Sequence, residues 1–284
     1  MSRRVLLEAR GVIQDSENQG FALRATQLFE WGERASAGLK LSLKMCRSSK
    51  MKVDWWDDLC QNRCMKFRVQ GYRHGDYLIQ NVPEYIPLWD EIVDTLHAVD
   101  DEKVIEYFLA HEEGRSKSVS PTINTLLKRE FVERGWHAES YIFAEEEYQG
   151  GKGLFRLDFA KDKVSIEVAF NHGNDAPWNL LKPTLASELN HVRKAIQTNI
   201  GVIITATDAM KEAGGFDNAV GSYEKYINFL RPMGMLLTAP LVLIGLEPFE
   251  TFYIEHETIG TKKIGHPRRI NLTEKNDCQS ELRI

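Results

Sequence analysis

Long hydrophobic runs and closely spaced cysteines are both missing from this chain of 284 residues. No stretch of about 18 consecutive apolar residues occurs, so we expect no transmembrane helix. The first residues become polar before the apolar part of a secretory signal forms, and we therefore expect a cytoplasmic protein. The 4 cysteines are too scattered for a disulfide framework, and no second Cys/His pair follows Cys60 and Cys64 at zinc-ligand spacing. Free thiols are the expectation.

A large excess of basic residues is also absent, since the formal net charge is -5, which argues against a general polyanion binder. Net charge does not exclude a local basic groove. Positive charge is concentrated at Lys182 with the segment after it, and again over residues 261–269. Such runs are often solvated loops, and charge alone does not distinguish a loop from a phosphate-binding surface.

The remaining composition is that of an ordinary globular protein, with 43% hydrophobic and 27% charged residues. Residues 1–64 differ in being rich in Arg, Lys and Ser with irregular apolar spacing, and we assign them to an N-terminal extension. This extension has three interpretations: a poorly ordered tail, an accessory helical element, or sequence upstream of the true start. Residues 65–284 form the predicted main domain, with its core at about 120–250.

Apolar spacing predicts an α/β fold for the main domain. Helices are predicted around 87–97 and 102–111, and a helix that follows Ser120 ends at Gly135. The continuous apolar runs at 201–206 and 240–246 are typical of buried strands. Amphipathic patterns predict further helices over 184–198 and 220–230. This order predicts a mixed sheet flanked by helices on both faces.

The segment FRLDFAKDKVSIEVAF, residues 155–170, alternates apolar and polar residues and predicts a two-stranded antiparallel ribbon. With a turn centred on Lys161 and Asp162, Asp158 lies opposite Ser165 and Glu167 is its diagonal neighbour. Diagonal Cα atoms are about 7 to 8 Å apart, so the two carboxylates can converge on a cation between them. The alternative is a pair of solvated acids.

The two acids suit a magnesium site. Mg²⁺ prefers oxygen ligands and usually takes one or two protein carboxylates together with water and substrate phosphate. Asp158 and Glu167 supply that number, and the backbone carbonyl of Val168 is a third candidate ligand. A cation held there would polarise a phosphodiester and lower the pKa of its bound water, which allows hydrolysis without a covalent intermediate. The pair alone is a weak signal because the same spacing arises by chance.

The segment that carries the two acids is one of several characteristic segments along the chain. Over residues 65–255 the chain carries, in order, MKFRVQGYRHGDYLI, LLKREFVERGW, LDFAKDKVSIEVAF, SELNH, IGVIITAT and PLVLIGLE. In these segments the sequence resembles the BglII, BstYI and BamHI group of type II restriction endonucleases, and most closely the BglII branch. The resemblance implies an α/β fold of the PD-(D/E)xK type, a mixed sheet flanked by helices on both faces.

It also implies a Mg²⁺-dependent enzyme that cleaves double-stranded DNA as a homodimer at a short palindromic site and leaves 5'-phosphate ends. A GATC centre is the expectation for that site by resemblance. A cognate DNA methyltransferase is expected in the same restriction-modification system, although not as a bound partner. No membrane partner is expected.

By the resemblance, Asp158 and Glu167 match the two metal-binding carboxylates of the family. Glu139 falls where BamHI has a glutamate near the metal, and its alternative role is that of a surface acid. Ala169 departs from the pattern, because family members have Gln or Glu there and the wider superfamily has Lys. Either Glu139, His172 or the substrate phosphate orients the attacking water instead, or the enzyme is slow, or it is inactive.

The resemblance also suggests DNA contacts. The loop after the second active strand enters the major groove in the family, which makes Asn171, His172 and Asn174 candidates for base contacts. Basic candidates for phosphate contacts are Lys182, Lys194, Lys262 and Arg268. For each of these the alternative is an ordinary surface residue.

Two other functions remain open. A repair or recombination nuclease on the same core would cut according to DNA structure rather than sequence. A DNA-binding protein of the same fold, impaired in catalysis at Ala169, would bind DNA without cutting it.

Overall fold

The computed structural model describes residues 64–150, 153–188 and 191–270. Apart from Cys64, the predicted N-terminal extension therefore lies outside the described residues, as does Cys60. Within the described ranges, no helix is both long enough and apolar enough to cross a bilayer.

A mixed sheet of six strands organises the described part of the chain. The strands are β1 (Phe67–Tyr72), β2 (His137–Tyr141), β3 (Arg156–Lys161), β4 (Val164–Val168), β5 (Ile200–Ala206) and β6 (Leu241–Leu246). Their spatial order is β1-β6-β5-β4-β3-β2. Strands β4, β5 and β6 are mutually parallel, whereas β1, β3 and β2 pair antiparallel with their neighbours.

Helices cover both faces of this sheet. They are α1 (Gly75–Asn81), α2 (Ile86–Ala98), α3 (Asp101–His111), α4 (Ser120–Glu133), the short α5 (Glu146–Gln149), α6 (Ala176–Ser187), α7 (Asp208–Ala213) and α8 (Tyr223–Leu230). Side chains of α2, α3 and α4 form one core with Ile166 and Val202 on one face. Side chains of α6 and α8 form a second core with Ile203 and Leu243 on the other. The predicted mixed sheet with helices on both faces is confirmed.

The two central strands follow directly from their composition. Every residue of β5 and β6 is buried, because helices pack on both faces of this parallel part of the sheet and leave neither face exposed to solvent. The predicted strands at 201–206 and 240–246 are thus confirmed within one residue at each end.

The helix predicted over 184–198 is wrong. The helix there is α6, which begins at Ala176 with Pro177 in its first turn and ends at Ser187. After the break, residues 193–195 make backbone hydrogen bonds to Ile142 and Ala144 instead of to each other. The apolar Val192 and Ile196 pack against the cluster around Ile142 from this non-helical segment, which explains their helix-like spacing.

A separate two-stranded hairpin follows the sheet among the described residues, formed by β7 (Phe252–Ile259) and β8 (Lys262–Arg269). Phe252 and Ile254 are buried on its inner side, and the Gly265 amide donates to the Ser116 carbonyl. The basic run at 261–269 is therefore mainly a strand rather than a solvated loop.

Candidate active site

The turn between β3 and β4 sets how the two predicted acids face each other. Lys161 pairs with Val164 and Ala160 pairs with Ser165, so the turn consists of Asp162 and Lys163. Asp162 has a left-handed backbone with φ of 48°, which aspartate tolerates better than most residues. The predicted turn at Lys161 and Asp162 is therefore wrong by one residue.

This shift changes the relation between Asp158 and Glu167, which we call the acid pair. Continuing the observed pairing of Phe159 with Ile166 by one residue puts Asp158 directly across from Glu167, and not on the diagonal. Directly opposed residues have Cβ atoms about 4.5–5.5 Å apart, closer than diagonal neighbours. The two carboxylates thus extend from adjacent positions on adjacent strands.

Asp158 is held by the end of β4. One carboxylate oxygen, Oδ2, accepts a hydrogen bond of 2.7 Å from the Val168 amide. Because the N–H and C=O of one strand residue point to the same edge of the strand, the Val168 carbonyl points toward this edge as well. Burial raises the pKa of Asp158, an effect that the positive charge of Lys182 opposes.

Glu167 is the more deeply buried member of the acid pair, with 2% of its surface exposed. Its Oε2 forms an ion pair with Lys182, whereas its Oε1 is buried without a hydrogen-bond partner in the protein. Burial, followed by the negative charge of Asp158, raises the pKa of Glu167 to about 8. The ammonium of Lys182 therefore offsets only part of the cost of placing two carboxylates here.

Lys182 comes from α6 on the second face of the sheet. It is only 8% exposed, and its Nζ also donates to the Arg156 carbonyl at 3.1 Å. Helix α6 lies close to β5 because Gly201 has no side chain, and a Cβ there would overlap Pro183. The residue that the sequence suggested as an exposed phosphate contact is thus packed against the acid pair.

Glu139 reaches the same region from β2. The pairing of Ala138 with Phe159 and of Ser140 with Leu157 places Glu139 across from Asp158. Its backbone is left-handed with φ of 56°, a conformation that costs a non-glycine residue roughly 1–2 kcal/mol.

Two cations hold the Glu139 carboxylate, with Lys128 Nζ at 3.1 Å from one oxygen and Arg156 Nε at 2.8 Å from the other. Glu139 also borders a cleft of about 240 Å³, which is lined by Asn124, Lys128, Glu139, Asp158, Phe159 and Val168. Sequence analysis missed Asn124 and Lys128, because their place in the cleft depends on how α4 packs beside β2 and β3.

The acid pair fits a cation that takes oxygen ligands. Asp158 and Glu167 occupy directly opposed strand positions, and one buried oxygen of Glu167 has no protein partner. By strand geometry the Val168 carbonyl points to the same edge as its amide, which bonds to Asp158. Over residues 64–150, 153–188 and 191–270, no group of three His, Cys, Asp or Glu side chains is arranged to hold a metal. Such a sparse donor set suits Mg²⁺, which keeps several water or phosphate ligands, better than zinc.

Ala169 follows β4 and contributes no polar group. It is 1% exposed and packs in the core formed with α6 and α8. The backbone amide of Ala169 donates to the Ile204 carbonyl at 2.7 Å. A side chain that orients water at this site must therefore come from another position.

Hydrogen bonds from a buried residue hold the loop that is predicted to contact bases. Asn179 donates both to Asn171 Oδ1 at 3.0 Å and to the buried Tyr226 hydroxyl at 2.7 Å. The His172 Nδ1 accepts a hydrogen bond from the Asn174 amide at 3.2 Å at the start of a short 3-10 helix, Gly173–Asp175. The side chains of Asn171, His172 and Asn174 are exposed, which leaves their surfaces open to a partner.

The other predicted phosphate contacts do not line the cleft. Lys194 lies over the Phe143 ring at 4.7 Å and donates to the Leu185 carbonyl, and burial lowers its pKa. Lys262 is exposed at the tip of the hairpin, and Arg268 bonds to Glu255 across the hairpin at 2.6 Å.

Comparison with known proteins adds family information. The sequence model described as restriction endonuclease BglII/BglIII matches residues 67–246. A crystal structure of restriction endonuclease BglII complexed with a DNA 16-mer is 20% identical, covers 72% of this chain and 100% of its own, and has a TM-score of 0.48. A crystal structure of free BglII is 23% identical with the same coverage and a TM-score of 0.41. No curated protein matches the sequence significantly.

Proposed function

The chain belongs to the BglII/BglIII family of restriction endonucleases and is a site-specific deoxyribonuclease, and we propose that it is Mg²⁺-dependent. Its mixed sheet, with helices on both faces, is the PD-(D/E)xK-type fold predicted from the sequence. In our proposal the enzyme acts in the cytoplasm on double-stranded DNA and leaves 5'-phosphate and 3'-hydroxyl ends.

The direct opposition of Asp158 and Glu167 is the observation that carries this proposal. Together with the Val168 carbonyl, the acid pair would hold the cation. When bound there, Mg²⁺ would polarise the scissile phosphodiester and would lower the pKa of a water molecule that it binds. The unpartnered Oε1 of Glu167 supports this role, because a buried carboxylate oxygen without a donor is costly to a protein unless something binds it.

The chain's own side chains prepare the site. The Val168 amide orients Asp158, which fixes one ligand oxygen before substrate arrives. Glu139 is proposed as a further acid of the reaction, and Lys128 and Arg156 keep its carboxylate at the border of the cleft. All of these groups lie on strands or on α4, which positions them more rigidly than loops would.

DNA recognition is proposed for exposed and basic groups outside the lining of the cleft. The exposed loop with Asn171, His172 and Asn174 would read base edges, because asparagine can bond adenine in the major groove. Lys194, Lys262 and Arg268 are proposed for phosphate contacts, which position the duplex without specifying its sequence. The match to the restriction endonuclease BglII/BglIII family supports DNA as the substrate of this chain.

A homodimer would explain recognition of a palindrome, since two-fold symmetry of the protein matches two-fold symmetry of the site. We propose a short palindromic site with a GATC centre, and a cognate methyltransferase that acts separately on the same site. We also propose residues 65–284 as the endonuclease domain, with a catalytic core at about 120–250. A chain that starts at Met65 should then fold and cleave DNA, and an insoluble product would count against this division.

The test is incubation of the purified protein with phage DNA in Mg²⁺, in Mn²⁺ and in EDTA. Discrete bands with either metal and intact DNA in EDTA are the expected result. A smear, or cutting only at branched or damaged DNA, would favour a repair nuclease.

A second function has one specific observation in its favour, the buried and apolar Ala169 where the family has a polar residue. A DNA-binding protein with impaired catalysis would retard the DNA and leave it intact in all three conditions. The same gel therefore separates the two proposals.

A further inference from the structure

Ala169 supplies no polar side chain to the site, so the basic residues around the acid pair are the alternative source of one. The acid pair and a scissile phosphate are all anionic, so the reaction needs a donor or a positive charge close to them. This argument rests on the proposed function. Among the described residues near the acid pair, the basic side chains that bond to its neighbourhood are Lys128, Arg156 and Lys182.

Two of these three basic residues already form ion pairs with another carboxylate. Lys128 and Arg156 both bond to the carboxylate of Glu139, and about half of the Lys128 side chain is exposed. Lys182 instead bonds directly to Glu167, and its side chain is about as buried as a core residue, at 10% exposed. Lysine is rarely buried, because burial of its charge is costly. A buried lysine is therefore a candidate for a functional residue.

The hydrogen bonds of Lys182 leave capacity for a substrate. An ammonium group has three donors. One donor bonds to Glu167 Oε2 and a second bonds to the Arg156 carbonyl at 3.1 Å. These two bonds fix the position of Nζ beside the acid pair, and the third donor remains for a water molecule or a phosphate oxygen.

The fold holds this arrangement firmly. Lys182 lies one residue before Pro183, the residue that packs against Gly201 of β5. On the same helix, Leu180 and Ala176 are fully buried in the second core, so α6 has little freedom to move away from the sheet. The lysine therefore approaches Glu167 from the helix layer, on a different element from β4, which Ala169 follows.

We propose that Lys182 is a catalytic residue that replaces, from α6, the polar side chain missing at Ala169. Its third N–H donates to the attacking water or to a non-bridging oxygen of the scissile phosphate. The water oxygen forms a bond to phosphorus while the bond from phosphorus to the 3' oxygen breaks. The proton of the water passes to solvent and the 3' oxygen takes one from solvent, while Lys182 keeps its proton throughout.

A simple structural role is the competing explanation, and the chain offers a matched control for it. Lys161 makes the same kind of contacts, with Glu91 at 2.8 Å and the Arg134 carbonyl at 2.8 Å, but neither of its partners belongs to the acid pair. Lys161→Met therefore removes a partly buried lysine bonded to a glutamate and a carbonyl without touching the acid pair. Both variants would be prepared in the full chain.

The first measurement is single-turnover cleavage of a duplex carrying the recognition site. We expect Lys182→Met to be slower by about 10²- to 10³-fold, the usual loss when one donor to a transition state is removed. The affinity for DNA without metal should change by only a small factor. We expect Lys161→Met to cleave at a rate close to that of the wild type even where its melting temperature falls.

The second measurement is the affinity for Mn²⁺ without DNA. Lys182→Met removes a positive charge from the oxygen atoms of the acid pair, so we expect it to bind Mn²⁺ more tightly than the wild type. A lysine that only supports the structure would, when lost, weaken metal binding and cleavage together. Opposite changes in the two quantities are thus the signature of the proposed role.

Cleavage by folded Lys182→Met within about threefold of the wild type would overturn the inference, as would weaker Mn²⁺ binding by that variant. If Lys182→Met does not fold at the assay temperature, Lys182→Gln is used, because its amide can still donate to the Arg156 carbonyl without the charge. Since that amide keeps a second donor, we expect tighter Mn²⁺ binding and a loss of cleavage that is smaller than for Lys182→Met but greater than about threefold. Failure of the wild type to cut DNA in Mg²⁺ would instead overturn the proposed function itself.

Discussion

Two regions of the molecule hold concentrated basic side chains, and they accommodate the charge in opposite ways. Beside the acid pair, Lys182 is 8% exposed and bonds to Glu167, which is 2% exposed. On the β7–β8 hairpin, the Arg268 side chain is 57% exposed and bonds to Glu255, which is 52% exposed. In sequence the two regions look alike, as clusters of basic residues that suit DNA phosphates.

The difference in burial between the two ion pairs indicates where a change of charge should affect function most. Exposed ion pairs contribute about 0 to 1 kcal/mol to stability because water solvates both partners well. Little water reaches the charges beside the acid pair, and burial, followed by the negative charge of Asp158, raises the pKa of Glu167. Substitutions at the acid pair should therefore change function greatly, and substitutions on the hairpin should change it little.

The largest expected effect is loss of cleavage when the acid pair is broken. Asp158→Ala and Glu167→Ala should each abolish cleavage, and Asp158→Asn should lower it by at least about 10³-fold, since metal polarisation is worth several kcal/mol. Asn keeps an acceptor for the Val168 amide, so the fold should persist. Cleavage rates and circular dichroism spectra check these outcomes.

The matched substitution on the hairpin is Glu257→Gln, which removes an exposed acid that contacts His266. It should cleave like the wild type. Equal losses from Asp158→Asn and Glu257→Gln would remove the distinction between the two regions.

The pH dependence of stability should also differ between the regions. Without metal, folded Glu167 has a pKa of about 8 whereas the unfolded chain has the ordinary value of 4.5, so the folded state binds more protons between these values. Stability is then lost as the pH rises from about 4.5 through about 8. The melting temperature in EDTA, compared between pH 5 and pH 8.5, should fall more for the wild type than for Asp158→Asn.

Asp158→Asn removes the negative charge that helps to raise the pKa of Glu167, which is why the variant should be the less sensitive protein. Mn²⁺ should restore the melting temperature of the wild type at pH 8.5 and should not restore that of the variant. Identical pH profiles for the two proteins would show that the acid pair is not coupled.

A moderate effect is expected at Gly201, which allows α6 to lie against β5. Gly201→Ala places a Cβ against Pro183 and should cost about 1–3 kcal/mol of stability, as overpacking usually does. It should also slow cleavage, because α6 carries Lys182. Gly260→Ala is the control on the hairpin, where φ is 65° and no atom lies within 4 Å of an added Cβ.

For Gly260→Ala we expect a loss of about 1 kcal/mol from the left-handed backbone and an unchanged cleavage rate. Denaturant unfolding and single-turnover kinetics give both quantities. Unchanged cleavage by Gly201→Ala would mean that the placement of α6 does not influence the reaction.

The smallest effect is expected for Arg268→Ala on the hairpin. The loss of its exposed ion pair with Glu255 should change stability by less than about 1 kcal/mol. If Arg268 contacts a phosphate, the slope of log affinity against log salt should decrease by about 1, with the cleavage position unchanged. An unchanged slope would remove Arg268 from the DNA-contacting residues.

The strands that carry the candidate site could be predicted from local sequence pattern. The runs that became β5 and β6 are apolar throughout because both of their faces are buried, and period-two alternation located Asp158 and Glu167 on paired strands. The register was off by one residue at the turn, because the left-handed backbone of Asp162 is set by the geometry of the turn and leaves little trace in the sequence.

The parts that were missed depend on long-range packing. Lys182 reaches Glu167 only because α6 connects β4 to β5 across the second face of the sheet. The helix-like apolar spacing over residues 184–198 led to a predicted helix that begins after Lys182, whereas α6 begins at Ala176. A local signal was present, since Lys182 lies between Leu181 and Pro183 in an apolar stretch where a solvated lysine would be unusual. The hairpin was not predicted, because only Phe252 and Ile254 of β7 are buried and the other residues of this strand are exposed.

The position of one metal ion relative to the acid pair tests the account most directly. Crystals of the protein soaked in Mn²⁺ and measured at the manganese absorption edge would locate that ion by its anomalous scattering. We expect a peak between the carboxylates of Asp158 and Glu167, within coordination distance of both. A peak elsewhere, or carboxylates that point away from each other with no metal between them, would contradict it.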